Sequence, residues 1–169
     1  MKIILYMAIS ANGMIAKADH DTPWSDDEFE SYKNKVIEIG NLVIGKTTYD
    51  LTIEDNGFDN LRNPFIVVLT TSGDKPRNKN TIFVKSFNEA IKVSQEKKFE
   101  NMLIAGGGKM NKVALESGKI DEIFLDVEPF IFGKGINLFA ESDMNLNLKL
   151  IGTKKVGKNG IQLHYEVTK

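Results

Sequence analysis

Three consecutive glycines, Gly106, Gly107 and Gly108, stand between the apolar run NMLIA (101–105) and a helical run that starts at Lys109. Glycines in that place let the backbone approach a ligand closely and turn N–H groups toward it, which suits a phosphate or pyrophosphate with Lys109 beside it. A plain tight turn would need one glycine rather than three. The spacing departs from the dinucleotide fingerprint G-x-G-x-x-G, whose third glycine would fall on Asn111. A second candidate lies in NLVIGKTTYD, where a strand ends at Gly45 and a helix opens at Lys46, Thr47 and Thr48. Backbone donors, the positive end of a helix dipole and a lysine would meet there. Gly40 to Thr47 also satisfies the pattern G-x-x-x-x-G-K-[ST], so a P-loop nucleotide-binding protein is the alternative reading. That mechanism needs a curled loop after a strand, whereas Asn41, Leu42, Val43 and Ile44 follow a helix and suit a strand themselves.

Two strand-to-helix anion sites in one chain point to a ligand carrying two phosphates, such as a dinucleotide. VLTTSGDKPR adds Thr70, Thr71, Ser72, Lys75 and Arg77, which suit a further phosphate such as the 2′-phosphate of NADPH and read equally as a solvated loop. The acids Asp26, Asp27, Glu28 and Glu30 follow Trp24; helix-start chemistry accounts for most of them. Asp27 is our candidate for an acid that anchors or protonates a substrate. His20 and His164 have no partner pattern for triad or metal chemistry. With no Cys and two His, thiolate zinc sites, disulfides and a cysteine nucleophile are excluded, and no metal is expected. Twenty-two Lys plus Arg against 23 Asp plus Glu give a formal charge of −1, so nucleic acid and anionic membrane are not expected partners and any polyanion is held locally.

Positioning these groups requires strands that alternate with helices, the pattern of an α/β fold with a mostly parallel central sheet of about eight strands. Strands are predicted at 2–10, 41–45, 65–71, 81–85, 101–105 and 122–130, with helices at 25–39, 46–53, 86–98 and 109–117. The helix at 25–39 opens on the capping box Ser25–Glu28 and carries Phe29, Tyr32, Val36 and Ile39 at helical spacing; Ser86–Glu89 repeats the box. Residues 11–24 read as a long loop able to act as a lid, and 54–64 as a polar connection. LKLIGTKKV and GIQLHYEVT close the chain as an antiparallel hairpin across Asn159–Gly160. At 169 residues, without a linker or internal repeat, a single domain over 1–169 is expected. The opening run is broken by Ser10, Asn12 and Gly13 and reads as a strand rather than a signal peptide, so a cytoplasmic protein is expected.

These residues resemble a family. MAISANGMIA (7–16) is similar to the opening strand and mobile loop of the dihydrofolate reductase superfamily, and Pro23–Trp24 to that loop's end. VIGKTTYD (43–50) resembles its strand–Gly–Arg–x–Thr–Tyr segment, with Lys46 for the usual Arg, and IAGGGKM (104–110) its cofactor glycines. GKIDEIFLDVEPFIFGKGINLF (118–139) is similar to the reductase domain of the bifunctional riboflavin-biosynthesis deaminase-reductase. The resemblance implies a three-layer dihydrofolate reductase-like fold, NADPH, hydride transfer to a pyrimidine- or pterin-like heterocycle, and a homodimer. It implies Ala8 and Ile15 at the nicotinamide, with Ser10 and Ala16 nearby. Gly45, Lys46, Thr47 and Thr48 are implied on one side of the pyrophosphate and Gly106, Gly107, Gly108, Lys109 and Met110 on the other. Thr70 and Ser72 are implied at the adenosine end, and Met7, Trp24, Phe29 and Tyr49 at the substrate. Two positions depart from the relatives: Phe29 stands where dihydrofolate reductases carry the substrate carboxylate, and Ala105 where riboflavin-type reductases carry Glu. The expectation is a stand-alone riboflavin-type reductase with a changed substrate; a catalytically silent NADPH-binding protein is a further alternative.

Overall fold

A computed structural model describes residues 1–55 and 57–168; Asn56, inside the predicted 54–64 connection, and Lys169, the last residue of the expected single domain, lie outside the described residues. The elements are β1 (Lys2–Ser10), β2 (Met14–Lys17), α1 (Asp26–Ile39), β3 (Asn41–Gly45), α2 (Lys46–Glu54), α3 (Gly57–Asn60), β4 (Phe65–Leu69) and β5 (Thr81–Val84). They continue with α4 (Phe87–Glu96), β6 (Asn101–Ile104), α5 (Gly108–Glu116), β7 (Glu122–Glu128), β8 (Gly135–Asn137), β9 (Asn147–Val156) and β10 (Gly160–Thr168). Eight strands form one sheet in the order β5-β4-β3-β6-β1-β7-β10-β9. The strands from β5 to β7 run parallel; β10 is antiparallel to β7, and β9 to β10.

The central strands are apolar on both sides because both sides are covered, as a parallel sheet requires. In β3, Val43 enters one core with Met110, Ala114 and Leu115 of α5 and Phe87 and Ala90 of α4. Its neighbours Leu42 and Ile44 enter the opposite core with Val36 and Ile39 of α1, Tyr49 of α2 and Phe58 of α3. Helices α4 and α5 therefore lie on one face and α1, α2 and α3 on the other, the predicted α/β arrangement in three layers.

Two connections are more ordered than their composition suggests. Inside 11–24, β2 pairs antiparallel with β8 in a separate two-stranded sheet, because Ile15 and Ala16 have apolar surface to bury and β8 offers an edge. Inside 54–64, Phe58 and Leu61 anchor α3 into the core. The apolar stripe of α1 also starts one residue earlier than its spacing suggests. Glu28, not Phe29, continues the buried line through Val36 and Ile39, while Phe29 is 39% exposed. Among the described residues no helix is long and apolar enough to cross a membrane.

Candidate active site

Four of the helices divide into two kinds by how they begin. In α1 and α4 the hydroxyls of Ser25 and Ser86 each accept the backbone N–H of the glutamate three residues on, Glu28 and Glu89, at 3.2 Å. In α2 and α5 the cap positions are Gly45 and Gly107, which carry no side chain to cap with. An uncapped start leaves N–H donors and the positive end of the dipole open to an anion. β3 and β6 are neighbours in the sheet, so the two open starts stand side by side: the Gly45 N–H donates to the Gly106 carbonyl at 2.9 Å. A Cβ on Gly45 would meet Met110 Cβ at 3.6 Å, and one on Gly107 would meet Thr48 Oγ1 at 3.4 Å. Gly45 and Thr48 are thus brought against Gly106, Gly107 and Met110, with Lys46 and Thr47 on one helix start and Gly108 and Lys109 on the other, so the two segments line one cradle. The Gly40–Thr47 pattern forms no phosphate loop, because Asn41–Gly45 are strand β3, hydrogen-bonded along β4.

The end of β1 abuts this cradle. Gly106 has φ +94°, which favours glycine on conformational grounds, and a Cβ there would come within 3.1 Å of the flexible end of the Met7 side chain. Ala8, Ile15, Ala16 and Ser10 are all buried nearby in the chain. The β2–β8 ribbon is tied to the glycine loop from behind. The Leu138 N–H donates to the Gly13 carbonyl and the Ala140 N–H to the Gly108 carbonyl, both at 3.1 Å, and Asn111 Nδ2 donates to the Leu138 carbonyl at 2.8 Å.

Beside α2 lies an open depression of about 480 Å³ among Lys46, Asp50, Asp74, Lys75, Arg77 and Phe83. Lys46 Nζ is bonded to both carboxylate oxygens of Asp50, at 2.6 and 2.8 Å, and stands 3.4 Å from Asp74. Arg77 Nη2 holds Asp50 at 2.7 Å. These contacts keep the Asp50 carboxyl below its usual range, with Lys46 the main cause. Thr70 and Ser72 stand on the same loop, where the Ser72 N–H donates to Thr70 Oγ1 and Ser72 Oγ donates to Asp74.

The substrate-side residues are not all brought together. Trp24 packs against Phe130 and Phe132 with ring centroids 6.2 and 5.7 Å away. Tyr49 is fully buried between Phe58 and Phe83, its hydroxyl accepting the Arg77 N–H at 2.8 Å and donating to Asn78. Asp27 is exposed and rests against Gly157 of the β9–β10 turn. His164, which showed no partner pattern in the sequence, stacks on Phe124 with centroids 3.9 Å apart and bonds to Glu122 Oε2 at 3.0 Å.

The chemistry that sequence reading missed lies one residue beyond Asp27. Glu28, Asp126 and Glu128 are all buried, at 4%, 0% and 2% exposure, where α1 crosses the ends of β1 and β7. The Tyr6 hydroxyl donates to Asp126 and so does Gln162 Nε2, while the Ser25 N–H donates to Glu128 Oε2 at 2.9 Å. Burial pushes the Glu28 carboxyl up to about 8, with further upward pressure from Asp126 and Glu128. Two signals for this cluster exist in the sequence. Stepping back four residues from Tyr32 lands on Glu28, and Asp126 and Glu128 share one face at the end of a strand, alternating with the apolar Leu125 and Val127.

The RibD C-terminal domain family matches residues 1–163. The uncharacterized protein YwjB of Bacillus subtilis is 31% identical to this chain, over 97% of each sequence. The fold is similar to that of Acinetobacter baumannii RibD, with TM-score 0.81 and 17% identity over 99% of this chain and 58% of that one. It is also similar to Enterococcus faecalis dihydrofolate reductase complexed with NADP(H), with TM-score 0.75 and 23% identity over 99% of this chain and 97% of that one. The architecture is therefore dihydrofolate reductase-like.

Proposed function

Since this chain belongs to the RibD C-terminal domain family, we propose that it is an NADPH-dependent reductase acting on a small pyrimidine- or pterin-like heterocycle, of the riboflavin-biosynthesis type. The observation that carries the reading is the pair of uncapped helix starts, Gly45–Lys46 and Gly107–Gly108, joined by the Gly45–Gly106 hydrogen bond. They offer two sets of backbone donors at the separation of one sheet neighbour, which suits the two phosphates of a dinucleotide.

When bound, the reduced nicotinamide supplies the hydride. The chain's own residues bind, orient and exclude water. Lys46, Thr47, Thr48 and Lys109 surround the pyrophosphate cradle, and Thr70 and Ser72 flank the depression suited to the adenosine end. Ala8 at the end of β1 and Ile15 of β2 supply apolar surface for the nicotinamide, Met7 on the other face of β1 lies against Gly106, and Trp24 with Phe130 and Phe132 closes the loop side. A second copy of the chain has an apolar face to use on the last two strands, where Leu148, Leu150, Ile151 and Ile161 are exposed. Lys149, Lys154 and Lys155 on β9 oppose edge-to-edge pairing, so this homodimer packs face to face.

Titration with NADPH, NADH and ATP, followed by the fluorescence of Trp24, tests the reading. NADPH is expected to bind; tight ATP binding with no response to NADPH would sink it. NADPH oxidation is then assayed with 5-amino-6-(5-phosphoribosylamino)uracil, the corresponding diaminopyrimidine and dihydrofolate. Binding without turnover on any of them favours a silent dinucleotide-binding protein.

A further inference from the structure

Glycine follows asparagine at three places in the chain, Asn12–Gly13, Asn56–Gly57 and Asn159–Gly160. At such a pair asparagine is chemically labile, because no Cβ on the second residue keeps the glycine nitrogen from the asparagine carboxamide carbon. The fold separates two of the three pairs; Asn56 lies outside the described residues.

Asn12 is held. Its Nδ2 donates to the Phe132 carbonyl at 2.8 Å, and its Oδ1 accepts from Ser10 Oγ at 2.8 Å and from the Phe132 N–H at 3.2 Å. The Gly13 N–H donates to the Ser10 carbonyl at 2.9 Å. Both reacting groups are tied to other partners, and an attack has to break those bonds first.

Asn159 is in the opposite state. It is exposed at the tip of the β9–β10 hairpin, and among the described residues nothing hydrogen-bonds to its carboxamide. Gly160 begins β10 and pairs with Val156, the last residue of β9, so its nitrogen belongs to the end pair of the ladder, the one that frays first. The tip leans on α1, where Gly157 lies against Asp27. Gln162 points to that same side and reaches Ser31 of α1, whereas Ile161 faces the other way. A second copy packed on the Ile161 side therefore leaves Asn159 open to water.

We propose that Asn159 is a site of spontaneous deamidation, and that the fold protects Asn12 from the same reaction. The Gly160 nitrogen attacks Asn159 Cγ and closes a succinimide ring. The bond from Cγ to Nδ2 breaks, and ammonia leaves with the proton that the Gly160 nitrogen gives up. Water then opens the ring at either carbonyl, leaving aspartate or, where the main chain continues through the former side chain, isoaspartate. Either product adds one carboxylate to a chain of formal charge −1. Isoaspartate also adds a methylene to the main chain of the turn, which has no room for it on the α1 side. A Cβ on Gly160 would stand 2.7 Å from Glu128 Oε1 and 2.9 Å from the Val156 carbonyl oxygen, and one on Gly157 would stand 2.8 Å from Asp27 Cγ. The lengthened turn therefore lifts from the start of α1.

The test needs neither cofactor nor substrate and stands apart from the reductase reading. The folded protein is kept at pH 8 in oxygen-18 water, and its peptides are mapped by mass spectrometry. Heavy oxygen is expected at residue 159, in aspartyl and isoaspartyl forms, at least about tenfold faster than at residue 12, since each hydrogen bond that must break first slows the attack. In urea, where Asn12 loses its partners, the two residues are expected to label at comparable rates. Asn159→Gln is expected to abolish the label at that position and leave Asn12 as it was. Equal labelling of both residues in the folded protein, or an Asn159 that labels in urea and stays unlabelled when folded, overturns the proposal. The isoaspartyl form, separated by anion exchange, is expected to show several-fold faster hydrogen exchange at Gly160 and Ile161. Unchanged exchange there would overturn the lifting of the turn.

Discussion

The backbone N–H of Ser25 donates to Glu128 Oε2 at 2.9 Å, across 103 residues of sequence, where a glutamate of its own helix would ordinarily serve. The matching box in α4 shows the local arrangement. There Glu89 Oε2 reaches back to the Lys85 N–H at 2.7 Å and stays at the surface. In α1 a strand residue takes over that task, and the displaced Glu28 becomes part of the interior. One exchange of partners turns a routine helix start into a buried acid.

The pH dependence of stability follows from Glu28. Its carboxyl is held near 8 in the folded protein, mainly by burial, against 4.5 when exposed, so the folded state binds more protons between those values. The stability this contributes is fully present below pH 4.5 and is lost as pH rises through about 8. At ~1.4 kcal/mol for each tenfold in proton affinity the span is on the order of a few kcal/mol. Urea unfolding between pH 5 and pH 9 is expected to show a falling stability that flattens in Glu28→Gln. An unchanged slope in that variant would assign the effect elsewhere.

Substitutions at two cradle glycines are expected to part company. A Cβ on Gly108 would sit 2.6 Å from the Asn137 carbonyl oxygen, a backbone atom that cannot swing away. Gly108→Ala is expected to cost about 1–3 kcal/mol in urea unfolding. A Cβ on Gly45 meets Met110 Cβ at 3.6 Å, the Gly106 carbonyl oxygen at 3.9 Å and the Gly107 nitrogen at 4.0 Å, all ordinary contacts, so Gly45→Ala is expected to remain within about 1 kcal/mol of the parent. Its loss appears instead in NADPH titration, as weaker binding where the backbone is no longer open.

Asp74 competes with any phosphate for Lys46, which it approaches at 3.4 Å. Asp74→Asn is expected to tighten NADP⁺ by about two- to fivefold at low ionic strength, the scale of an exposed ion pair, with little effect on NAD⁺. Calorimetric titration of both nucleotides checks this, and the gain should shrink in high salt. Equal gains for the two nucleotides would place the 2′-phosphate away from Asp74.

The proposed homodimer is tested at Leu150, which is 53% exposed on β9. Light scattering after gel filtration is expected to give a dimer for the parent and a monomer for Leu150→Glu, with the far-ultraviolet spectrum unchanged. A monomeric parent would remove the dimer reading.

The sheet, its helices and the final hairpin were legible because their signals are local. Branched apolar runs such as LVI (42–44) and FIVVL (65–69) mark central strands, and Asn159–Gly160 marks the turn. β2 and β8 were not legible, because each is a short segment made a strand by the other, 121 positions apart from Met14 to Gly135. The glycine cradle was visible as two separate loops; their union depends on β3 lying beside β6. The acid site was hidden for a different reason. Glu28 belongs to a capping box that explains it locally, and only the arrival of Glu128 removes that explanation.

The hydrogen bonds from the Leu138 N–H to the Gly13 carbonyl, from Asn111 Nδ2 to the Leu138 carbonyl and from the Ala140 N–H to the Gly108 carbonyl join three distant stretches of chain into a single mechanical linkage. A ligand that tightens the glycine cradle therefore pulls on the ribbon carrying Ile15 and Ala16 without any signal crossing the sheet.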